Sequence, residues 1–370
     1  GTVGVSTTTV NVIENNNTVT SGGAAIDRIY GRFGSDGSTL SITGGSYSAT
    51  ASGFVDPDAA NNTLVISGGT FASEPPAKFI AEGFRATANP DGTYTVAIMP
   101  TVAKIGDREF KSLEAAFASV LTTGGVIDLV SDAVVMEPIR VGSQVTLNLG
   151  DHKVIADPNG AWDSKTNFMV FNLTGARADM TVNATTGGID CADAGLYAFH
   201  MVGPFNGRAN LTINGGNYYA DTTVVNLQKT ANAIINDGSF KVSGAAEYML
   251  NCVDAGRSTC SIVVNGGSFR YFNPSNNKAE GEGTCFTADD KCSYNSNGTF
   301  TVKAHTEQIL PAVEATCTDD GLTEGKKCSN CDKVLVEQQA DPAKGHAEET
   351  IPAVAPTCTA TGLTEGKKCS

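Results

Sequence analysis

One phrase recurs along the chain: apolar, any residue, apolar, polar, Gly-Gly, any residue, aromatic. It reads Leu40-Ser41-Ile42-Thr43-Gly44-Gly45-Ser46-Tyr47 and Leu64-Val65-Ile66-Ser67-Gly68-Gly69-Thr70-Phe71. It returns as Leu211-Thr212-Ile213-Asn214-Gly215-Gly216-Asn217-Tyr218 and Ile262-Val263-Val264-Asn265-Gly266-Gly267-Ser268-Phe269; Ala233 to Phe240 varies one glycine. Partial copies stand at Val145-Thr146-Leu147-Asn148 and Met180-Thr181-Val182-Asn183. The glycines recur 24 residues apart from Gly45 to Gly69, 22 from Gly216 to Gly238 and 29 from Gly238 to Gly267. Strict alternation of apolar residues predicts a strand with one buried face, and Gly-Gly a tight turn. Further β-prone stretches, such as Phe168–Phe171, Tyr197–Val202, Val224–Leu227 and Tyr248–Leu250, lie between the phrases, with no helical pattern among them. Each period therefore holds at least two short strands, too little to bury an apolar face alone. Stacking like units solves this and predicts an all-β fold, a parallel β-solenoid.

Two internal stacks follow from that register: an aromatic one (Tyr47 and Phe71; Tyr218, Phe240 and Phe269) and an amide one (Asn148, Asn183, Asn214, Asn236 and Asn265) whose members hydrogen-bond above and below. Asp91-Gly92 and Asn297-Gly298 read as hairpin turns of caps that cover an open last edge. Between them, Ser112 reads as the N-cap of a short helix with Leu113, Phe117, Val120 and Leu121 on its apolar face, stopped by Gly124-Gly125. These phrases resemble the right-handed parallel β-helix domains of the pectate-lyase-like superfold, in the form found in large surface proteins of Gram-positive gut bacteria. The resemblance implies the right-handed sense. Residues 1–99 then form the C-terminal part of a first β-helix with its cap. Residues 100–303 form a second β-helix with an N-terminal capping helix.

From His305 the sequence changes to a tandem repeat. Gly321-Leu322-Thr323-Glu324-Gly325-Lys326-Lys327-Cys328-Ser329 returns as Gly362 to Ser370, and His305 returns as His346, 41 residues later. The units span 304–345 and 346–370, the second read as truncated because it stops two residues before the expected partner of Cys369. The first unit holds His305, Cys317, Cys328 and Cys331, the last two in the Cys-x-x-Cys spacing that places two thiolates on one metal. The second holds His346, Cys358 and Cys369. Three Cys and one His make a complete tetrahedral zinc set, and a unit this small needs a staple. Structural zinc is one reading, disulfides in an oxidising compartment another, and His346 is an alternative fourth ligand to His305. The tail resembles tandem His/Cys repeats near the C-termini of the same surface proteins, which implies a stalk or spacer.

Lys and Arg number 25 against 39 Asp and Glu, a net charge of −14. That balance argues against nucleic acid as partner, and no apolar run is long enough to insert into a membrane. Lyases and hydrolases occur on β-helices, so an enzyme is a competing reading. Its carboxylate cluster is not evident, however: Asp151, Asp190, Asp193, Asp221, Asp237 and Asp254 sit in turn contexts, and the best local grouping is Asp190, Asp193 and His200 with Arg177 and Arg208. Tyr219 and Tyr271, with Arg270, are the candidate ligand-binding residues, placed outward by strand alternation to stack on sugars. Cys252 with Cys260, and Cys285 with Cys292, read as small-loop disulfides, and Cys191 as a buried thiol. Taken with the resemblance, the expectation is a non-catalytic, secreted or wall-anchored extracellular protein. Its β-helical modules would contact glycans or cell-wall polysaccharide from a repeat stalk; a passive stalk is a third reading.

Overall fold

The structure, a computed structural model, describes residues 10–12, 18–19, 39–47 and 63–369, save 176, 205–206, 208 and 254–258. Arg208 and Asp254 therefore lie outside the described residues, as does most of 1–62. The chain is mostly β, with parallel sheets, and divides into two compact units, Gly1–Ala116 and Phe117–Ser370.

In the second unit each full period contributes three strand segments, the first two merging into one long strand in the periods that begin at Asn210 and Asn232. The first strands of successive periods, Gly125–Leu129, Gln144–Gly150, Asp179–Ala184, Asn210–Ala220, Asn232–Val242 and Ser261–Val264, pair in parallel, each with the next. Beyond the glycine turn, Ala133–Val135, Lys153–Ala156, Gly188–Asp190, the ends of the two long strands and Ser268–Arg270 continue the same pairing. The β-prone stretches form a third parallel sheet, Ile139–Val141, Met169–Thr174, Tyr197–Val202, Val225–Gln228 and Leu250–Cys252. The sequence signals the first and third of these sets. The middle one is signalled only where an aromatic follows the glycine turn; Gly188–Asp190 carries no such mark.

Glycine is required at the turn for two reasons. Gly267 sits at φ +99°, where a side chain is strained. Gly188 has no room: a Cβ there would lie 1.7 Å from the Asn217 carbonyl oxygen of the next strand. The aromatic position stacks as expected. Tyr218 and Phe240 lie 5.0 Å apart at 7°, Phe240 and Phe269 4.7 Å at 10°, and all three are buried. In the first unit Tyr47 and Phe71 stack at 4.9 Å and 14°. The Tyr47 and Tyr218 hydroxyls each donate to the carbonyl of the first glycine of their own phrase, at 2.8 and 2.9 Å.

The amide ladder forms too, running in one direction. Asn265 Nδ2 donates to Asn236 Oδ1 (2.8 Å), Asn236 to Asn214 (2.7 Å), Asn214 to Asn183 (2.9 Å) and Asn183 to Asn148 (2.8 Å). Asn148 ends the run on the Asp128 carboxylate at 2.7 Å. It is not interior, because its members are half-buried or exposed, so each bond competes with water. Asn214→Ala, which removes two of these bonds, is expected to cost only about 1 kcal/mol in urea unfolding; a cost above about 3 kcal/mol would mean the ladder is effectively desolvated.

Both caps appear as antiparallel hairpins. Phe84–Ala88 and Tyr94–Ile98 pair with each other, and Tyr94 faces Phe71 of the last parallel strand in the first unit. Lys291–Ser296 and Thr299–Ala304 do the same against Ser268–Arg270. Asn297 (φ 50°) and Gly298 (φ 77°) both take the left-handed backbone of a two-residue hairpin turn. Ser112 Oγ accepts the Ala115 N–H at the start of the helix Leu113–Ser119. In the second unit Phe117 packs on Phe171 at 5.5 Å.

Candidate metal centre and surface groove

The terminal repeats have little interior. Ile309, Val313, Val334, Val336, Ile351, Val354 and Leu363 are all exposed. Each unit is a hairpin, Glu307–Leu310 against Gly325–Cys328 and Glu348–Ile351 against Gly366–Cys369. In the first, Gly325–Cys328 also pairs with Val334–Val336.

At one end of the first hairpin, Cys292, His305, Cys328 and Cys331 converge, with all ligand atoms within 4.8 Å of one another. Cys292 Sγ lies 3.7 Å from Cys328 Sγ, and Cys331 Sγ 3.5 Å from His305 Nδ1. A tetrahedral ion with metal–sulfur bonds of about 2.3 Å and metal–nitrogen bonds of about 2.0 Å has S···S edges of about 3.8 Å and S···N edges of about 3.5 Å. These residues thus fit a metal ion, and the 3.7 Å separation is no disulfide.

The surroundings match that reading. His305 Nε2 lies 3.2 Å from the Asp289 carbonyl; with its proton there, Nδ1 is left as the ligand atom. The Asn330 N–H points at Cys328 Sγ (3.4 Å), and Asn330 Nδ2 at Cys292 Sγ (3.7 Å) and the Ser293 carbonyl (2.8 Å). The knuckle closes with Asp332 at φ 57°. Burial opposes the Cys328 thiolate, but the Asn330 and Cys331 N–H groups, His305 and the Cys331 thiol outweigh it and bring its pKa down to about 5. Burial first, then the neighbouring sulfurs, pushes Cys331 up to about 11.

A second set, Cys317, His346 and Cys369, has its ligand atoms within 4.8 Å of one another, but its two sulfurs, 3.0 Å apart, lie inside the about 3.8 Å edge of a tetrahedral site and would have to separate to hold an ion. The Cys317 thiol, then His346, lowers the Cys369 pKa.

This redistributes the expected ligands. Cys317 does not join His305, Cys328 and Cys331; Cys292 takes that place. Cys358 does not join His346 and Cys369; Cys317 does. The reason is strand length. Glu307 pairs with Cys328, and Val313 with Leu322, six residues along the ladder, so Cys317 lies roughly 20 Å from the Cys-x-x-Cys end at about 3.3 Å per residue. Glu348 with Cys369 and Val354 with Leu363 repeat the arrangement, with Cys358 at the far end. Of the cysteines read as small-loop pairs, Cys292 stands in the first donor set. Cys260 has the Cys252 thiol and the Lys229 carbonyl beside it. Exposed Cys285 contacts Thr287 Oγ1. Cys191 is buried, as expected.

On the middle sheet, Lys153, Asp190, Asn217, Tyr219, Ser239 and Lys241 line a shallow groove. Tyr219 is half-buried, and the Lys241 ammonium lies 3.8 Å from its ring centre. Tyr271 is exposed, but not through alternation. It follows the strand at φ 58°, and this left-handed turn swings it out while Phe272 goes in. The Arg270 guanidinium lies 4.0 Å from the Tyr271 ring centre and is held by the Asn297 carbonyl at 2.6 Å.

Two carboxylates serve turns. Asp151 accepts the Thr185 and Thr186 hydroxyls, and Asp163 caps its own loop through the Lys165, Thr166 and Asn167 N–H groups. His200 is buried on the third sheet with Nδ1 on Asn226 Nδ2 at 3.0 Å, its pKa depressed by burial to about 4, while Asp190 belongs to the middle sheet. Among the described residues no helix is long and apolar enough to cross a membrane. No family model matches the chain, and neither curated proteins nor solved structures yield a match.

Proposed function

We propose that the chain is part of a non-catalytic extracellular surface protein. Its parallel coils are right-handed β-helices, and its terminal Cys/His units are held by structural zinc. Soft thiolate and imidazole donors in a tetrahedral set are the donors zinc takes, and metal ligation also keeps thiols reduced in an oxidising compartment. The extracellular, secreted or wall-anchored location rests on the resemblance of the Gly-Gly phrases and the tail to bacterial surface proteins. The working face is the groove at Tyr219, which offers an apolar ring edge beside Lys153, Asp190, Asn217, Ser239 and Lys241, the mixture that sugar rings and their hydroxyls require. That groove is the observation that carries the reading. A single carboxylate, Asp190, is among the groove's lining residues, whereas a hydrolase of this kind needs a pair, which favours the binding reading.

The test is binding of the full chain to an array of glycans and cell-wall polysaccharides. Binding is expected, and Tyr219→Ala should weaken it at least tenfold, with Tyr271→Ala having a smaller effect. Absence of binding would leave a passive stalk, and a rise in reducing or unsaturated ends would make the chain an enzyme; either outcome overturns the proposal.

A further inference from the structure

We infer that each metal site is shared between consecutive modules, so that the ions act as clasps along the chain. The inference rests on the zinc reading above. The first site ties the terminal hairpin of the parallel coils, through Cys292, to His305, Cys328 and Cys331 of the first repeat. The second ties the first repeat, through Cys317, to His346 and Cys369 of the second.

In both units the His and the Cys of the repeated Lys-Lys-Cys stand 23 residues apart, His305 to Cys328 and His346 to Cys369. Pairing of Glu307 with Cys328 and of Glu348 with Cys369 brings each couple to one end of its hairpin. The remaining cysteine, Cys317 or Cys358, stands at the other end, beyond the bridges Val313–Leu322 and Val354–Leu363. A unit can therefore receive a metal at its near end and donate one sulfur from its far end, but it cannot place all its own donors on one ion. The incoming sulfur precedes the histidine by 13 residues in the first site and by 29 in the second. Such unequal spacing suits a donor that belongs to the preceding module.

Three thiolates and an imidazole on a dication leave one net negative charge at the first site, and Lys291 and Lys333 stand beside it, each also facing a carboxylate, Asp290 and Asp289 respectively. Lys291 is half-buried, and Lys333 Nζ also donates to the Asp289 carbonyl at 2.6 Å, the carbonyl that faces His305. The exposed apolar residues of these units offer no interior that could hold the junctions otherwise. Cys358 has in the second unit the place that Cys317 has in the first, and it joins neither set.

The experiment uses the chain of residues 1–370, reduced, with zinc or cobalt(II) as the metal. Metal content and the thiolate-to-cobalt absorption count the sites and their sulfurs. The whole chain is expected to bind two ions, the four-donor site tighter than the three-donor site. Cys292→Ser should weaken the tight site more than about 100-fold and spare the other. Cys317→Ser should spare the tight site and abolish the second, and Cys358→Ser should change neither. A second measurement needs no variant: during zinc titration of the unaltered chain, Cys317 should gain protection from alkylation together with Cys369, not with Cys328. If Cys317→Ser weakens the site of His305 while Cys292→Ser is silent, or Cys317 protection follows Cys328, the units are self-contained and the shared clasp fails while zinc stands. If the reduced chain takes up no metal, the zinc reading itself fails.

Discussion

Phe240→Ala is expected to lower the unfolding free energy of the coil region by about 4 kcal/mol, the largest effect of any single side chain among the stacked rings. Phe240 is 1% exposed and lies between two parallel partners, Tyr218 at 5.0 Å and Phe269 at 4.7 Å. Truncation removes its own transfer energy and two ring contacts worth about 0.5–1.5 kcal/mol each beyond area burial. The gap cannot close, because the strands on either side are fixed by their ladders with Asn210–Ala220 and Ser268–Arg270. Phe240→Leu fills more of the space and should cost about half as much. Tyr248→Ala serves as the control, since Tyr248 is 47% exposed and a surface change of this kind shifts stability by about 0.5 kcal/mol or less. The measurement is urea unfolding followed by hydrogen exchange at 211–270. A cost below about 1.5 kcal/mol for Phe240→Ala would mean that the rings are not packed in register, and the stacked architecture would lose its main support.

Much of this architecture is legible in the sequence because a strand with one buried face writes itself as a period of two. The Ile213, Ile235 and Val264 positions and their Gly-Gly turns announce the first strand of each rung, and the aromatic that follows announces the ring column. Val225–Gln228 and Leu250–Cys252 are visible as apolar stretches. Gly188–Asp190 is not, because it offers one large apolar residue and no aromatic after its glycines. The metal residues are legible as a set of donors but not as a partition. Cys-x-x-Cys is local, and its His lies across one hairpin. Which distant sulfur completes the tetrahedron depends on how long the hairpin is and which module abuts it, and neither is encoded near Cys328. Cys292 is hidden for a further reason: its nearness to Cys285 in sequence suggests a small loop disulfide, while the strand Lys291–Ser296 sets its sulfur among His305, Cys328 and Cys331. Tyr271 shows the limit of alternation, since one left-handed residue at the end of a strand reverses the side on which its ring emerges.

On the proposed zinc reading, withdrawal of metal should unfold the repeats and leave the parallel sheets intact, the second large effect expected. The two regions are stabilised by different means. Residues 117–303 bury Phe171, Phe199, Tyr218, Phe240 and Phe269 together with many aliphatic side chains, an interior that needs no ion. In 304–369 the residues buried among the described ones are small, Ala315, Gly321, Gly325 and Cys328, and such segments do not order their backbone against its conformational entropy without a cross-link. Structural zinc in small Cys/His modules contributes about 10–16 kcal/mol at neutral pH, more than these hairpins can replace with exposed ion pairs such as Lys326–Glu307 and Lys367–Glu348. With a strong chelator and reductant present, proteolysis between 305 and 369 should accelerate at least 100-fold. Amide protection in 117–270 should stay within a factor of about three, and re-added zinc should restore the tail. The segment 291–304 is the informative boundary. It belongs to the hairpin that covers the last parallel strand yet carries Cys292, so its protection should fall partway, from the Cys292 end. If metal is verifiably removed and the tail keeps its protection, the hairpins are stable by themselves, and the ion is an occupant rather than the element that holds them.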